Sequence, residues 1–190
     1  GNSVINVTKL SDYCFENCEH LNAIKIPMAE KFGVNCFENC RYISEVEIKG
    51  TPENPLSKLF NNSLYIKYVK YHGEDVFNKY FEGLQSLQEV SFVDDVVRIG
   101  NYAFYGCKNL KELPLLPNLR VIGSFAFAKS GLIECKIPND VEYIGLWIFD
   151  QCNNIEKLEL PLIHRHFGFY FSLKPFGICY KINQYTINGM

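Results

Sequence analysis

The chain has 190 residues, a formal net charge of −2 and a sequence pI near 6.1. Its Lys and Arg are scattered rather than striped, which excludes a nucleic-acid surface, because that needs a basic face. No apolar run reaches the roughly 18 residues of a membrane-spanning helix, so membrane insertion is excluded, and no signal peptide is recognisable.

Taken from the N-terminus, phenylalanine returns at Phe15, Phe37, Phe60, Phe81, Phe104, Phe127 and Phe149, in steps of 22, 23, 21, 23, 23 and 22 residues. A fixed period of this size predicts a solenoid in which each unit buries its apolar side against the next. Other columns move with the phenylalanine. Four residues before it stand Ser11, Gly33, Leu56, Phe77, Gly100, Gly123 and Gly145. Glycine in four of the seven predicts a tight turn with positive φ. Small or apolar residues stand one before it, as at Cys14, Cys36, Ala103 and Ala126, and three after it, as at Cys18, Cys40, Cys107, Ser130 and Cys152.

A strand follows each turn. Its inward positions lie six, nine and eleven residues after the phenylalanine: Leu21, Ile24 and Ile26; then Ile43, Val46 and Ile48; then Ile66, Val69 and Tyr71. Leu87, Val90 and Phe92 continue the set, followed by Leu110, Leu113 and Leu115, with Ile155, Leu158 and Leu160 last. The unit at Phe127 is one residue short and gives Leu132, Cys135 and Ile137. A polar residue between the last two positions, such as Lys25, Glu47 or Lys136, gives the period of two of a strand with one buried face. Pro27, Pro138 and Pro161 then stop the strand. Residues 49–81 and 162–190 depart from the pattern and read as degenerate repeats; the second carries His164, Arg165 and His166 where a turn should be.

These columns resemble the BspA-like leucine-rich repeats, whose consensus is close to I-G-x-x-A-F-x-G-C-x-x-L-x-x-I-x-I-P. The run Gly100-Asn101-Tyr102-Ala103-Phe104-Tyr105-Gly106-Cys107 follows it almost letter for letter, and Phe37-Glu38-Asn39-Cys40 and Phe149-Asp150-Gln151-Cys152 follow it more loosely. The resemblance covers about residues 4 to 161. It implies surface-exposed or secreted repeat proteins, mainly adhesins and host-interaction proteins, and carries over no catalytic residue. The expected architecture is one leucine-rich-repeat domain over 1–190, with about seven to eight repeats. It is a right-handed coil with a parallel β-sheet on one face and turns or short 3-10 segments on the other. No capping unit is recognisable, which predicts that the chain is cut from a longer secreted protein.

Candidate sites are few. Cys14 with Cys18 and Cys36 with Cys40 have the spacing of a four-thiolate zinc site. The same columns hold alanine or serine elsewhere, so buried core thiols are favoured, disulfides come second and zinc third. His164 and His166 could share one side of a strand, but no third metal ligand can be placed, so an exposed turn is favoured. Trp147 shares a column with Tyr13, Asn35, Lys58, Lys79, Tyr102 and Phe125; covering the coil joint is favoured over a sticky strip. Asn6-Val7-Thr8 and Asn61-Asn62-Ser63 fit the glycosylation sequon at about the frequency of chance. Asp12 and the pair Asp94 and Asp95 read as loop residues.

The exposed sheet face is the remaining candidate. One outward column holds Lys25, Glu47, Lys70, Ser91, Pro114, Lys136 and Glu159, with signs that alternate along much of it. The next holds Ala23, Glu45, Tyr68, Glu89, Glu112, Glu134 and Lys157, and leans acidic. The candidate binding surface is therefore Lys25, Glu45, Glu47, Tyr68, Lys70, Glu89, Glu112, Lys136, Lys157 and Glu159, weighed against a plain solvated face. The expected function is non-enzymatic binding of protein or glycan at a cell surface or outside the cell. The alternatives are a structural spacer and, remotely, an enzyme. No metal, cofactor or nucleic acid is expected.

Overall fold

The computed structural model describes residues 7–51, 53, 55–60 and 65–161, together with the backbone of the strand at 184–187. Along the chain run β1 (Ala23–Ile26), β2 (Glu45–Lys49), the one-turn helix α1 (Leu56–Leu59), β3 (Tyr68–His72), β4 (Asp75–Val76), β5 (Glu89–Phe92), β6 (Arg98–Ile99), β7 (Val121–Ile122), β8 (Glu134–Lys136), β9 (Tyr143–Ile144), β10 (Lys157–Leu160) and β11 (Gln184–Ile187). They stack as the windings of a parallel leucine-rich-repeat solenoid.

Two parallel sheets share the face predicted from the period of two. The first has the order β1-β2-β3-β5 and the second β11-β10-β8. In the first, Ile24 aligns with Val46, Val46 with Val69 and Val69 with Val90, all buried. A third sheet, β4-β6-β7-β9, lies where the sequence reads only as an apolar turn before the glycine. Its strands are two residues long, too short for periodicity to reveal. They stack Val76, Ile99, Ile122 and Ile144 in register.

The phenylalanines line up inside the coil as expected. Phe15 stacks on Phe37 at 5.4 Å and Phe37 on Phe60 at 4.8 Å between ring centres. Phe81, Phe104, Phe127 and Phe149 follow at 4.8, 5.7 and 5.5 Å. Between the two runs lies the degenerate segment. There α1 replaces the turn, and the rings of Tyr71 and Tyr80 lean on Phe81 at 5.8 and 5.1 Å.

The glycine column is present for a different reason from the one the sequence predicts. Gly33, Gly100, Gly123 and Gly145 do not take positive φ. They sit where the previous winding comes too close for a side chain: a Cβ on Gly100 would lie 2.6 Å from the backbone nitrogen of Asn78. The left-handed residues lie on either side of the phenylalanine instead. Tyr13, Asn35, Lys79, Tyr102, Phe125 and Trp147, two before it, have φ of 51–60°; Asn17, Asn39, Gly83, Gly106, Lys129 and Gln151, two after it, have 56–77°. Alternate N–H groups of the turn then donate to the next winding: Tyr102 to the Ser124 carbonyl at 3.0 Å, Phe104 to Ala126 at 2.7 Å and Gly106 to Ala128 at 2.9 Å. The turn wall is thus hydrogen-bonded from winding to winding, as a sheet is.

One winding breaks the sheet face. Leu115, predicted to point inward, is 77% exposed, and Leu116 is buried in its stead. Pro114 is the cause. It has no N–H to give to a ladder, and a central strand excludes proline for that reason. Among the described residues no backbone hydrogen bond joins 112–115 to a neighbouring winding, so the face is two sheets with β5 and β8 at the facing edges.

Candidate functional site

The outward columns of the two sheets form the candidate site. Parallel register brings equivalent residues side by side, at strand spacings of about 4.8 Å. On the first sheet, Glu47 receives a lysine and a histidine nitrogen. Lys70 Nζ and His72 Nε2 each lie 3.0 Å from its Oε1. Lys70 first, and His72 second, hold the Glu47 carboxyl below its ordinary value. His72 was not singled out in the sequence, although it stands two residues after Lys70 and the period of two places it on the same face. Tyr68 is exposed, and its hydroxyl lies 3.3 Å from the side-chain oxygen of Gln88. On the second sheet, Lys136 lies 2.9 Å from Glu159, and Lys157 bridges Glu134 at 3.8 Å and Glu159 at 3.7 Å. Lys136 is the main cause of the lowered Glu159 carboxyl.

The ten predicted residues therefore fall into three groups. Lys25, Glu45, Glu47, Tyr68, Lys70 and Glu89 share the first sheet, Lys136, Lys157 and Glu159 share the second, and Glu112 stands on the irregular winding between them. The first outward column is largely neutralised by ion pairs. In the second, Glu45, Glu89 and Glu112 have no ion-pair partner among the described residues, and all three are exposed. Sequence reading found this acidic lean. It did not find the cleft beside Glu112, about 210 Å³, lined by Leu113, Leu116 and Leu119.

The aromatic column on the turn wall offers little to a ligand. Tyr102 and Phe125 stack at 4.9 Å, Phe125 and Trp147 at 6.5 Å, and Lys79 lies 5.5 Å over the Tyr102 ring. Tyr102, Phe125 and Trp147 thus stack in near-parallel planes from winding to winding, with Lys79 over the Tyr102 ring. Lys58 lies in α1.

Four of the described thiols are core residues. Cys36, Cys40, Cys107 and Cys152 are buried, Cys18 and Cys135 are half-buried and Cys14 is exposed, and none of them is in a disulfide. Among the described residues there is no disulfide, no group of three or more His, Cys, Asp or Glu fit to hold a metal, and no helix long and apolar enough to cross a membrane. His164, His166 and both sequons fall wholly or partly outside the described residues.

The sequence model of the BspA type leucine-rich repeat region matches residues 3–77 and 74–189. No curated protein matches the chain. Among solved structures, a leucine-rich repeat protein from Bacteroides ovatus is similar, with a TM-score of 0.67 and 23% identity over 96% of this chain and 52% of that one. A leucine rich cell surface protein from Faecalibacterium prausnitzii gives a TM-score of 0.40 and 20% identity over 83% of this chain and 44% of that one. The chain thus spans about half the length of these solved proteins. The Bacteroides likeness is one of fold, and the family match extends over nearly every winding: the chain belongs to the BspA-type leucine-rich repeat family.

Proposed function

We propose that this chain is a non-catalytic interaction module, placed outside the cell or on its surface, that binds a protein or a glycan through its sheet face. One observation carries the reading. The first outward column neutralises itself, whereas Glu45, Glu89 and Glu112 line up unpaired beside it. Glu45 and Glu89 flank Tyr68 on the first sheet and Glu112 follows on the next winding, so this column carries uncompensated negative charge that a cationic or hydrogen-bonding partner complements. Family membership supports the same reading, because stacked repeats present extended surfaces used for binding.

A screen of glycans and extracellular-matrix proteins tests it, followed by charge reversal. Glu45→Lys, Glu89→Lys and Glu112→Lys together should weaken a screened partner by about tenfold or more with an unchanged circular dichroism spectrum. A partner that binds the triple variant equally well does not use this face.

The second reading is a spacer that holds other domains away from a membrane or wall. The ion pairs Lys70–Glu47 and Lys136–Glu159 favour it, since they cover much of the face with contacts internal to the chain. A spacer predicts no partner in the same screen.

A further inference from the structure

The windings around Phe15 and Phe37 differ from the others in their thiols. Each carries a cysteine one residue before the phenylalanine, Cys14 and Cys36, and another three after it, Cys18 and Cys40. Every later winding has at most one cysteine in these two columns, and the column before the phenylalanine goes on with Leu59, Tyr80, Ala103, Ala126 and Ile148. Packing alone therefore accepts many residues at that position, and cysteine stands there only on two adjacent windings. Among the described residues no group of these side chains suits a metal.

Backbone hydrogen bonds fix how the two windings meet. The N–H of Tyr13 donates to the Val34 carbonyl at 3.0 Å, that of Phe15 to Cys36 at 2.9 Å and that of Asn17 to Glu38 at 2.9 Å. They set Cys14 beside Cys36 at the winding spacing of about 4.8 Å, inside the Cα separation of about 4.4–6.8 Å that a disulfide spans. The two side chains interact across the joint, Cys14 exposed and Cys36 buried. In the other column the Cys40 thiol is engaged with the Phe15 carbonyl at 2.9 Å. We propose that Cys14 and Cys36 are a disulfide-forming pair that staples the winding around Phe15 to the winding around Phe37 when the chain meets a low-molecular-weight disulfide. The Cys14 thiolate attacks one sulfur of that disulfide, its S–S bond breaks and one small thiol leaves. Cys36, deprotonated, then attacks the Cys14 sulfur and expels the second. Two protein thiols are oxidised, and the small disulfide is reduced to two thiols. The bond closes a loop across a joint that needs it: Phe15 is 37% exposed and, among the described residues, stacks on Phe37 alone. A winding held through one interface opens first. The pair lies on the turn wall, so the inference does not use the sheet face.

The test incubates the whole 190-residue chain with oxidised glutathione, alkylates the remaining thiols and digests without reduction at glutamate. Cleavage after Glu16 and Glu38 separates Cys14 from Cys18 and Cys36 from Cys40. The expected result is the loss of two thiols per chain and a mass-spectrometric link between the peptides that carry Cys14 and Cys36. Hydrogen exchange at Tyr13, Phe15 and Asn17, whose N–H groups cross the joint, should slow by about tenfold or more in the oxidised chain. Burial pushes the Cys36 thiol up to about 12, so closure should quicken as pH rises from 7 to 9. Cys14→Ser, a change at an exposed position, should abolish both the link and the slowed exchange, and Cys18→Ser should leave both. The inference is overturned by thiols that stay unoxidised, by a glutathione adduct on Cys14 that never closes, by a link between Cys18 and Cys40 instead, or by a disulfide between two chains. A linked chain whose exchange at Tyr13, Phe15 and Asn17 is unchanged would overturn the staple as well.

Discussion

The thiol of Cys107 donates a hydrogen bond to the carbonyl oxygen of Phe81, one winding back, at 3.1 Å. Cys40 and Cys152 do the same to Phe15 and Phe127, each at 2.9 Å. Each carbonyl already accepts an N–H from its own winding, Leu84 to Phe81 at 3.2 Å and Ser130 to Phe127 at 3.0 Å. The thiol thus serves the second lone pair of an oxygen turned along the coil axis. This accounts for a cysteine column without metal or disulfide: the side chain must be small, apolar and a weak donor at once. Burial pushes the Cys107 thiol up, so it stays a protonated donor at neutral pH.

Replacement of Cys107 separates those demands. Cys107→Ala loses donor and volume and should cost about 1–2 kcal/mol. Cys107→Ser keeps a donor, and Ser130 already fills the same place on the next winding, so its cost should stay below about 1 kcal/mol. Urea unfolding of the two variants checks this. Equal losses would mean that the hydrogen bond contributes nothing.

Two glycines on successive windings, Gly83 and Gly100, should respond in opposite ways. Gly83 is left-handed at φ 77°, with nothing within 4 Å of an added Cβ, and Asn17 and Asn39 occupy its column. Gly83→Asn should therefore be neutral within about 0.5 kcal/mol. Gly100→Ala drives a methyl into the Asn78 backbone and should cost about 1–3 kcal/mol by forcing the windings apart. Thermal melts of both variants decide. A destabilised Gly83→Asn would mean that the turn needs glycine itself.

The same pair shows what was legible in the sequence. A column of glycine announces a constrained backbone, but conformational freedom and close approach leave the same letter, and only coordinates separate them. The phenylalanine anchors were legible because one residue type repeats at one step over seven windings. The inward set was legible because period two survives in nearly every strand. Leu115 was misplaced because a pattern of leucines outweighed the single proline beside it, although Pro114 alone removes the ladder bond that holds the pleat. The strands β4, β6, β7 and β9 carry two residues each, fewer than periodicity needs. The acidic column was legible. Its lack of ion-pair partners was not, since pairing depends on which rotamers Lys70 and Lys157 adopt.

Acid should weaken the first sheet through Glu47. Lys70, then His72, lower its folded-state pKa below the ordinary value of 4.5. A carboxyl lowered on folding stabilises the protein above its unfolded pKa, and that contribution is lost as pH falls through the folded value. Stability should therefore decline below about pH 4.5, with Glu47 supplying no more than about 1 kcal/mol because the cluster is partly solvated. Denaturant unfolding at pH 7 and pH 3.5 measures it. Glu47→Gln should show a shallower acid loss than the parent chain, and an identical loss in both would remove Glu47 from the account.

Phe104 is the most informative core residue to remove. It is fully buried, with Phe81 on one face at 4.8 Å and Phe127 on the other at 5.7 Å. Phe104→Ala should cost about 3–5 kcal/mol, from lost transfer energy and a cavity that rigid windings cannot fill. Phe15 is 37% exposed and stacks on Phe37, so Phe15→Ala should cost less, about 2 kcal/mol or under. The position of Phe104 adds a second signature. Stability in a solenoid is a sum of unit and neighbour-interface terms, so weakening a middle interface uncouples the windings on either side. Unfolding of Phe104→Ala should broaden, and hydrogen exchange should quicken first in the windings around Phe81 and Phe127. A variant that melts as sharply and as high as the parent would show that the ring is not part of a continuous interior.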